Sequence, residues 1–92
     1  MVHITQLKLL PKVSGVYKVV DADGSVIYIG QAKNIHDRWN SGHHKLSEII
    51  SRYGLAVHIT WVELPEWLLN RAENAAVSFY QPKLNLKTPP VV

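Results

Sequence analysis

The 92-residue chain contains no cysteine, and this absence excludes disulfide bonds and thiolate zinc sites. No segment approaches the roughly 20 consecutive apolar residues that a membrane-spanning helix requires, so no membrane association is expected. The absence of cysteine is compatible with a cytoplasmic location, which is the simplest expectation. The N-terminus shows no basic stretch followed by a long apolar run, and we therefore expect no signal peptide. Charged residues make up only 18% of the chain and apolar residues 47%, a balance that favours a folded domain over a disordered segment.

Acidic residues are also few, since 7 of them stand against 10 lysines and arginines, for a net charge of +3 and a pI near 9.3. This mild excess is compatible with a polyanionic partner such as nucleic acid, although many ordinary soluble domains carry it as well. The chain shows no internal repeat and is short enough for one core. We therefore expect a single domain over residues 1–92, with residues 86–92 as a frayed tail.

Two segments rich in β-forming residues, 14–20 and 25–30, are separated by a turn signal that ends in Asp-Gly. The pattern predicts an antiparallel hairpin. If residues 21–24 form the loop, Tyr17 lies directly opposite Tyr28, with Cβ atoms about 4.5–5.5 Å apart. A slip of one residue would remove this pairing, so it depends on the turn.

The remaining pattern predicts a helix over residues 34–39 with Asn34 as its N-cap, and a second helix over 44–53. A third strand is expected over 55–63 and a long helix over 65–80. The order is β-β-α-α-β-α, which indicates an α/β (α+β) domain with a small three-stranded antiparallel sheet flanked by helices. The apolar side of the third strand comprises Leu55, Val57, Ile59 and Trp61, and the apolar stripe of the long helix comprises Leu68, Ala72, Ala75, Ala76 and Phe79.

The hairpin carries the residues of chemical interest. Paired tyrosines on a sheet usually serve packing, but a phenol can also transfer a proton, and Tyr17 with Tyr28 can bracket a phosphate and a water. Gly15 and Gly30 flank the tyrosines, and glycine within a strand marks a bulge or a close backbone approach, or merely the end of a strand. On the long helix, Glu73 stands beside an apolar column, where a carboxylate either binds a partner such as a cation or reaches solvent.

Several short motifs occur in one order: Gly15-Val16-Tyr17, Tyr28-Ile29-Gly30, Arg38, Glu73 and the closing stretch Gln81-Pro82-Lys83-Leu84-Asn85. Together they resemble the signature of the GIY-YIG nuclease superfamily, with valine in place of the commoner isoleucine. The resemblance covers almost all of the chain between the first and the last of these motifs. Each motif alone is weak, but their order and the elements between them make the resemblance specific.

The resemblance implies a metal-dependent endonuclease that hydrolyses phosphodiester bonds in DNA. It implies that Glu73 holds one Mg²⁺ or Mn²⁺ ion and that Tyr17 acts as the general base for an attacking water. Tyr28 and one histidine assist in placing or activating that water. Arg38 offsets charge that develops on the phosphate, and Asn85 braces the site by hydrogen bonds.

The chain departs from the family pattern at two positions. A histidine or tyrosine is expected four residues after the arginine, where this chain has Gly42. His43 or His44 can take that role if Gly42 ends the helix and turns the chain back. His43 is named as the catalytic candidate and His44 as a substrate-binding candidate, but the sequence leaves the choice between them open. Gln31 stands where some relatives have lysine, and it removes one cation from the expected site.

The other substrate-binding candidates that the resemblance implies are Gly30, Gln31, Lys33 and Asn85. Tryptophans can stack on bases, but core or edge packing is the preferred interpretation of all three in this chain. A rival hypothesis is a nucleic-acid-binding module with the same fold and weak catalysis, which the departures at positions 31 and 42 favour, and a third is a protein-interaction domain. If the chain cleaves DNA, the choice of cleavage site is expected to come from a targeting partner protein, from a homodimer, from the shape of the substrate, or from a further part of the protein.

Overall fold

The structure is a computed structural model in which residues 1–85 are described, so the predicted frayed tail at 86–92 lies outside the described residues. Strands and helices follow the order β1 (Val2–His3), β2 (Gly15–Val20), β3 (Val26–Ala32), α1 (Ile35–Asn40), α2 (Leu46–Tyr53), β4 (His58–Glu63) and α3 (Leu69–Tyr80). Two short 3₁₀ segments, Ile4–Leu9 and Glu66–Leu68, follow β1 and precede α3. None of the helices in residues 1–85 has the length and hydropathy needed to cross a membrane.

Within residues 1–85 the sheet has four antiparallel strands in the order β1-β4-β2-β3, so the prediction of three strands is wrong. The additional strand is β1, in which Val2 pairs with Ile59 and His3 with His58. Two residues are too few to show the alternation of apolar and polar side chains by which a strand is recognised. The prediction that helices flank a small antiparallel sheet is confirmed.

The predicted pairing of Tyr17 with Tyr28 is also wrong. Tyr17 pairs with Gly30, Tyr28 pairs with Val19, and the register shifts at the end of β2. The reason is a longer loop, because the Asp21 carboxylate accepts hydrogen bonds from the backbone of Asp23 and Ser25 and so holds Ser25 in the turn. A shift of two positions keeps both tyrosines on one face, and their ring centroids lie 6.3 Å apart as diagonal neighbours.

Helix α1 begins as predicted, because the Asn34 side chain accepts a hydrogen bond from the backbone N–H of Asp37 at 3.0 Å. Helix α2 starts two residues later than predicted and ends before Gly54, whose φ is 75°. These two helices cover one face of the sheet, where they enclose the larger core around Tyr17, Ile35, Trp39, Ile49 and Ile59.

Helix α3 covers the other face, above β2 and β3. Its inner side consists of Leu69, Ala72, Ala76 and Val77, which pack with Val16 and Ile29. The predicted stripe was partly wrong, because Phe79 is 80% exposed and Ala75 is also exposed. The helix was expected from residue 65, but residues 66–68 form a 3₁₀ turn and α3 begins at Leu69.

The last strand is shorter than predicted. It begins at His58, and residues 55–57, which follow Gly54, do not belong to it. Leu55 is therefore exposed, contrary to prediction, whereas Val57 and Ile59 are buried as expected. The sheet thus places its central strand β2 between two cores, and β3 forms an edge beside which the candidate site lies.

Candidate active site

The side chain of Tyr17 lies across the edge strand β3 at Gly30. It is buried, with 1% of its surface exposed, and its ring and hydroxyl lie over the α-carbon of Gly30, the residue with which it pairs. A Cβ at position 30 would collide with that hydroxyl and ring. The glycine of the second motif therefore makes room for the tyrosine of the first, which is a close backbone approach rather than strand-end punctuation.

Gly15 has a different reason to be glycine. A Cβ there would collide with the backbone carbonyl of Val62 in β4, the strand on the other side of β2. A backbone atom in the middle of a sheet cannot move aside as a flexible side chain can. Gly15 thus allows β2 and β4 to approach each other closely, and Gly30 makes room for the phenol of Tyr17.

His43 is the histidine that joins Tyr17. Helix α1 ends at Asn40, and Gly42, with φ of 88°, turns the chain back so that His43 enters the core. Its Nε2 lies 2.7 Å from the Tyr17 hydroxyl oxygen, and its ring stacks on Trp39 with centroids 3.9 Å apart. One of the two alternatives left open by the sequence is therefore buried next to the predicted base.

The hydrogen bonds of His43 determine where its proton is. The backbone N–H of Lys45 donates to Nδ1 at 3.1 Å, so Nδ1 carries no hydrogen. Burial, and to a lesser extent the charges of Arg38, His44 and Lys45, together lower the pKa of His43 from 6.5 to about 3. The ring is therefore neutral near pH 7 with its hydrogen on Nε2, and it donates that hydrogen to the Tyr17 oxygen.

The two tyrosines are acids weaker than a free phenol. Burial raises the pKa of Tyr17 well above its usual range, with a further increase from Tyr28, while the Arg38 guanidinium opposes the shift. Burial likewise raises the pKa of Tyr28, the Glu73 carboxylate adds to the increase, and Arg38 again lowers it. Ionisation of either phenol at this site consequently depends on positive charge close to it.

Arg38 lies on the exposed side of α1 and is held by the second histidine. Its Nη2 donates to Nδ1 of His44 at 3.2 Å, and the His44 ring stacks on His43 with centroids 4.8 Å apart. His44 is exposed, whereas His43 is buried. The two histidines therefore differ in environment: one contacts the phenol and the other orients the guanidinium.

Glu73 approaches the same edge of the sheet from α3. It is half-buried, and its Oε1 accepts a hydrogen bond from Nε2 of Gln31 on β3 at 2.7 Å. The same Gln31 nitrogen donates to Oδ1 of Asn70 at 2.6 Å. The structure thus brings together Glu73 and Gln31, two of the predicted site residues, through a contact that the sequence did not predict.

The donor set around Glu73 fits a magnesium-like ion. Residues 1–85 contain no group of three or more histidine, aspartate or glutamate side chains that could hold a metal, so a closed structural zinc site is not formed by them. A single carboxylate with one oxygen engaged by an amide leaves the other oxygen for a cation. Mg²⁺ is commonly bound by one or two carboxylates, with water and phosphate oxygens completing its octahedron.

Asn85 holds the edge strand by its side chain. Its Oδ1 accepts from the backbone N–H of Ile29 at 2.7 Å, and its Nδ2 donates to the Ile29 carbonyl at the same distance. The backbone N–H of Leu84 also donates to the Ile27 carbonyl at 3.0 Å. The closing motif therefore replaces a neighbouring strand at the residue between Tyr28 and Gly30, and it holds both motif residues in place.

Lys33 and Trp67 lie apart from this cluster, whereas Trp39 packs within it. Lys33 is exposed and lies 3.8 Å from Glu66 in a surface ion pair. Trp39 is buried and packs between His43 and Tyr17, which agrees with core packing, while Trp67 is 78% exposed on the 3₁₀ turn before α3. Within residues 1–85, Lys33 forms no hydrogen bond or ion pair with Tyr17, His43 or Glu73.

Asn70 is the site residue that the sequence reasoning missed. It stands three residues before Glu73 on α3, and residues with this spacing lie on the same side of a helix. This spacing is a signal that was available in the sequence. What the sequence did not show is that the pair faces Gln31, because that depends on how α3 crosses the sheet.

Comparison with known proteins matches this arrangement to one family. The family model of the UvrC-like GIY-YIG domain matches residues 13–86. UvrABC system protein C of Christiangramia forsetii is 32% identical over 87 residues, and the protein of the same name from Shewanella denitrificans is 36% identical over 87 residues. These alignments cover 88% and 87% of this chain, and the chain spans 14% of the length of each relative.

Solved structures agree with the sequence comparison. The GIY-YIG N-terminal endonuclease domain of UvrC from Thermotoga maritima, bound to magnesium as its catalytic divalent cation, superposes with a TM-score of 0.71 at 29% identity over 87% of this chain and 91% of that one. A point mutant of the same domain, bound to its catalytic divalent cation, gives a TM-score of 0.73 at 27% identity over 88% of this chain and 91% of that one. The resemblance seen in the motifs is confirmed, and the chain belongs to the UvrC-like GIY-YIG domain family.

Proposed function

We propose that this chain is a divalent-metal-dependent endonuclease that hydrolyses phosphodiester bonds in DNA. The observation that carries the proposal is the convergence of Tyr17, His43 and Arg38 on one side of the edge strand, with Glu73 close enough to raise the pKa of Tyr17 and Tyr28. This set contains a proton acceptor, a cation for phosphate and a carboxylate for a metal. The family match and the magnesium-bound relative support the same reaction.

Glu73 is the residue that would hold the ion. A bound Mg²⁺ or Mn²⁺ would supply positive charge that polarises the scissile phosphate and stabilises the leaving oxygen. Magnesium is the ion named for the Thermotoga maritima domain, and the use of Mn²⁺ by this chain is our extension. Carboxylate ligands with exchangeable water suit both ions.

Tyr17 is the general base in this proposal. The hydrogen bond from His43 Nε2 stabilises negative charge on the phenol oxygen, and Arg38 lowers the pKa that burial has raised. To act as a base, the Tyr17 oxygen must first have lost its own proton to solvent, and the phenolate then takes a proton from the attacking water; the His43 hydrogen bond, the Arg38 charge and a bound cation would all favour that phenolate. His43 therefore acts as a donor to the base and, because its pKa is lowered to about 3, is not itself the base at neutral pH.

Arg38 and Tyr28 have roles in charge and placement. Arg38 is exposed, carries a fork of donors suited to phosphate oxygens, and is oriented by His44. Tyr28 lies beside both histidine rings, with centroids 5.6 and 6.3 Å away, in a position to help orient the attacking water. Asn85 keeps these side chains in register through Ile29, and this bracing limits the movement of the reacting groups.

Choice of the DNA site is assigned to other components. The relatives carry the name UvrABC system protein C and are much longer than this chain, so we propose that further domains, a second copy or a targeting partner protein select the substrate. Lys33 and His44 are exposed and thus accessible to phosphates, which supports their place among the substrate-binding residues. A cytoplasmic location stays a prediction of the sequence.

The rival hypothesis of a binding module with weak catalysis rested on Gly42 and Gln31. The turn at Gly42 delivers His43 to Tyr17, so the glycine does not remove the histidine from the cluster. Gln31 contacts Glu73 rather than leaving a gap in the site. Both departures from the family pattern are thus compatible with an active enzyme, which is why we favour the endonuclease.

A plasmid-nicking assay with and without Mg²⁺ tests the proposal, extended to duplex, flap, branched and single-stranded DNA. We expect Glu73→Gln to abolish cleavage while DNA affinity stays similar or improves, because one negative charge is removed from the surface that meets phosphate. Glu63→Gln, the same change at an exposed carboxylate at the end of β4, is the matched control and should keep the parent rate. Full activity of Glu73→Gln, or metal-independent cleavage by the parent, would contradict the proposal.

A further inference from the structure

We propose that Gln31 is a positioning residue that fixes the Glu73 side chain and leaves its second carboxylate oxygen free for a divalent cation. The inference deepens the proposed function and rests on it, because it concerns the residue that would hold the metal. The contact that motivates it joins residues 42 positions apart, Nε2 of Gln31 and Oε1 of Glu73, at 2.7 Å.

The chemistry of the partners determines the orientation of the amide. An ionised carboxylate only accepts hydrogen bonds, so the NH₂ group of Gln31, not its carbonyl, must face Glu73. The second hydrogen of the same NH₂ group goes to Oδ1 of Asn70 at 2.6 Å. With both hydrogens engaged, the amide cannot rotate without losing two bonds, and it holds one oxygen of the carboxylate in a defined place.

The three residues also connect the sheet to the helix. Asn70 and Glu73 share one side of α3, while Gln31 follows Gly30 on β3, the glycine over which Tyr17 lies. The hydrogen bonds of Gln31 to Asn70 and Glu73 therefore set the position of the candidate metal ligand relative to β3, the strand over which the Tyr17 phenol lies. A ligand held in this way loses less side-chain freedom when a cation binds, so binding is stronger.

The amide is neutral, and its lack of charge matters as much as its hydrogen bonds. A lysine at position 31 would also donate to Glu73, but its positive charge would repel a cation at the same carboxylate. Glutamine aims the carboxylate and leaves its full negative charge available. Loss of the amide and gain of a charge should both weaken cation binding, but for different reasons.

Mn²⁺ binding to the 92-residue chain without DNA, followed by electron paramagnetic resonance of the free ion, separates the two effects. Gln31→Met keeps the length of the side chain and removes its donors, and we expect its dissociation constant to rise about tenfold, the low end of effects of this kind. Gln31→Lys should also bind more weakly, and added salt should reduce its deficit but not that of Gln31→Met, since only the former is electrostatic. Gln6→Met, the same change at an exposed residue after β1, is the matched control.

DNA cleavage gives a second measurement, the Mg²⁺ concentration at half-maximal rate, which a purely structural role of Gln31 would leave unchanged. In Gln31→Met the half-saturating Mg²⁺ concentration should rise by the same factor, while the melting temperature stays near that of the parent. Asn70→Ala, which frees the amide from its second partner, should produce a smaller rise in the same direction. It provides an independent test if Gln31→Met does not fold.

The outcomes distinguish this inference from the proposed function. If Glu73→Gln loses Mn²⁺ and Gln31→Met and Asn70→Ala bind it as the parent does, the positioning role of Gln31 is wrong and the metal site stands. If the parent and Glu73→Gln bind Mn²⁺ equally, the assignment of the metal to Glu73 fails, and the proposed function fails in that part. A raised dissociation constant in Gln31→Met with Gln6→Met unchanged supports the inference.

Discussion

Removal of the Tyr17 hydroxyl tests whether the buried phenol takes part in chemistry and is held by His43. Tyr17→Phe keeps the ring, which packs edge-on against Trp39 at a centroid distance of 5.3 Å, and so retains most of the packing energy. What it removes is the acceptor for His43 Nε2, 2.7 Å away. Since both residues are buried, the Nε2–H loses its partner and has little access to water.

The magnitude follows from that unpaired donor. A buried polar group left without a hydrogen bond costs about 1–3 kcal/mol, so we expect the unfolding free energy of Tyr17→Phe to fall by this amount. For a domain of this size each kcal/mol corresponds to a drop of about 4–8 °C in melting temperature. The cleavage rate should fall by roughly 10²–10⁴, the usual effect of removing one general acid–base group.

Urea denaturation and plasmid nicking on the same preparations measure the two effects. His43→Phe and the double variant Tyr17→Phe/His43→Phe complete a mutant cycle. His43→Phe also removes the acceptor of the Lys45 N–H, but the double variant should lose less stability than the two single variants added together, because both break the same Tyr17–His43 bond. Tyr53→Phe, a half-buried tyrosine on α2, is the matched control and should cleave as the parent does. A Tyr17→Phe variant that keeps its stability would refute the hydrogen bond, and one that cleaves at the parent rate would refute the role of the phenol as base.

Two further predictions follow from the same site. The pKa of His43 is about 3 in the folded chain against an ordinary 6.5, so the unfolded chain takes up the proton first and stability is lost as the pH falls below 6.5. At pH 5 this loss is about 2 kcal/mol, and urea denaturation near pH 7.5 and pH 5 should show it for the parent but not for His43→Phe, whereas equal changes in both proteins would contradict the shift. Gly30→Ala places a methyl group against Tyr17, so we expect a loss of about 1–3 kcal/mol and a nicking rate as low as that of Tyr17→Phe. Gly24→Ala, in the hairpin turn with φ of 85° and open space around it, should lose about 1–2 kcal/mol and keep the parent rate, and a fully active Gly30→Ala would show that the hydroxyl does not need its place over the glycine.

The local elements of the fold were readable from the sequence because their signals lie within a few residues. The Asp-Gly turn predicted the hairpin, and Asn34 predicted the first turn of α1, where its side chain caps the helix. The same local reading failed at the hairpin register, because the Asp21 carboxylate enlarges the loop by holding Ser25. It also failed on α3, which begins only at Leu69 and in which Phe79, predicted for the inner stripe, is exposed in the last turn.

The sequence by itself determined the family and the identities of the candidate residues, because the motifs occur in one order along the chain. Only the tertiary structure decided which of them meet: Tyr17 joins His43 across 26 positions, and Gln31 joins Glu73 across 42. Such contacts depend on how helices cross the sheet, and hydrophobic periodicity specifies which face of an element is buried but not which residue of another element lies opposite it. The choice of His43 over His44 shows this, since adjacent residues with identical side chains differ only because the turn at Gly42 buries one of them.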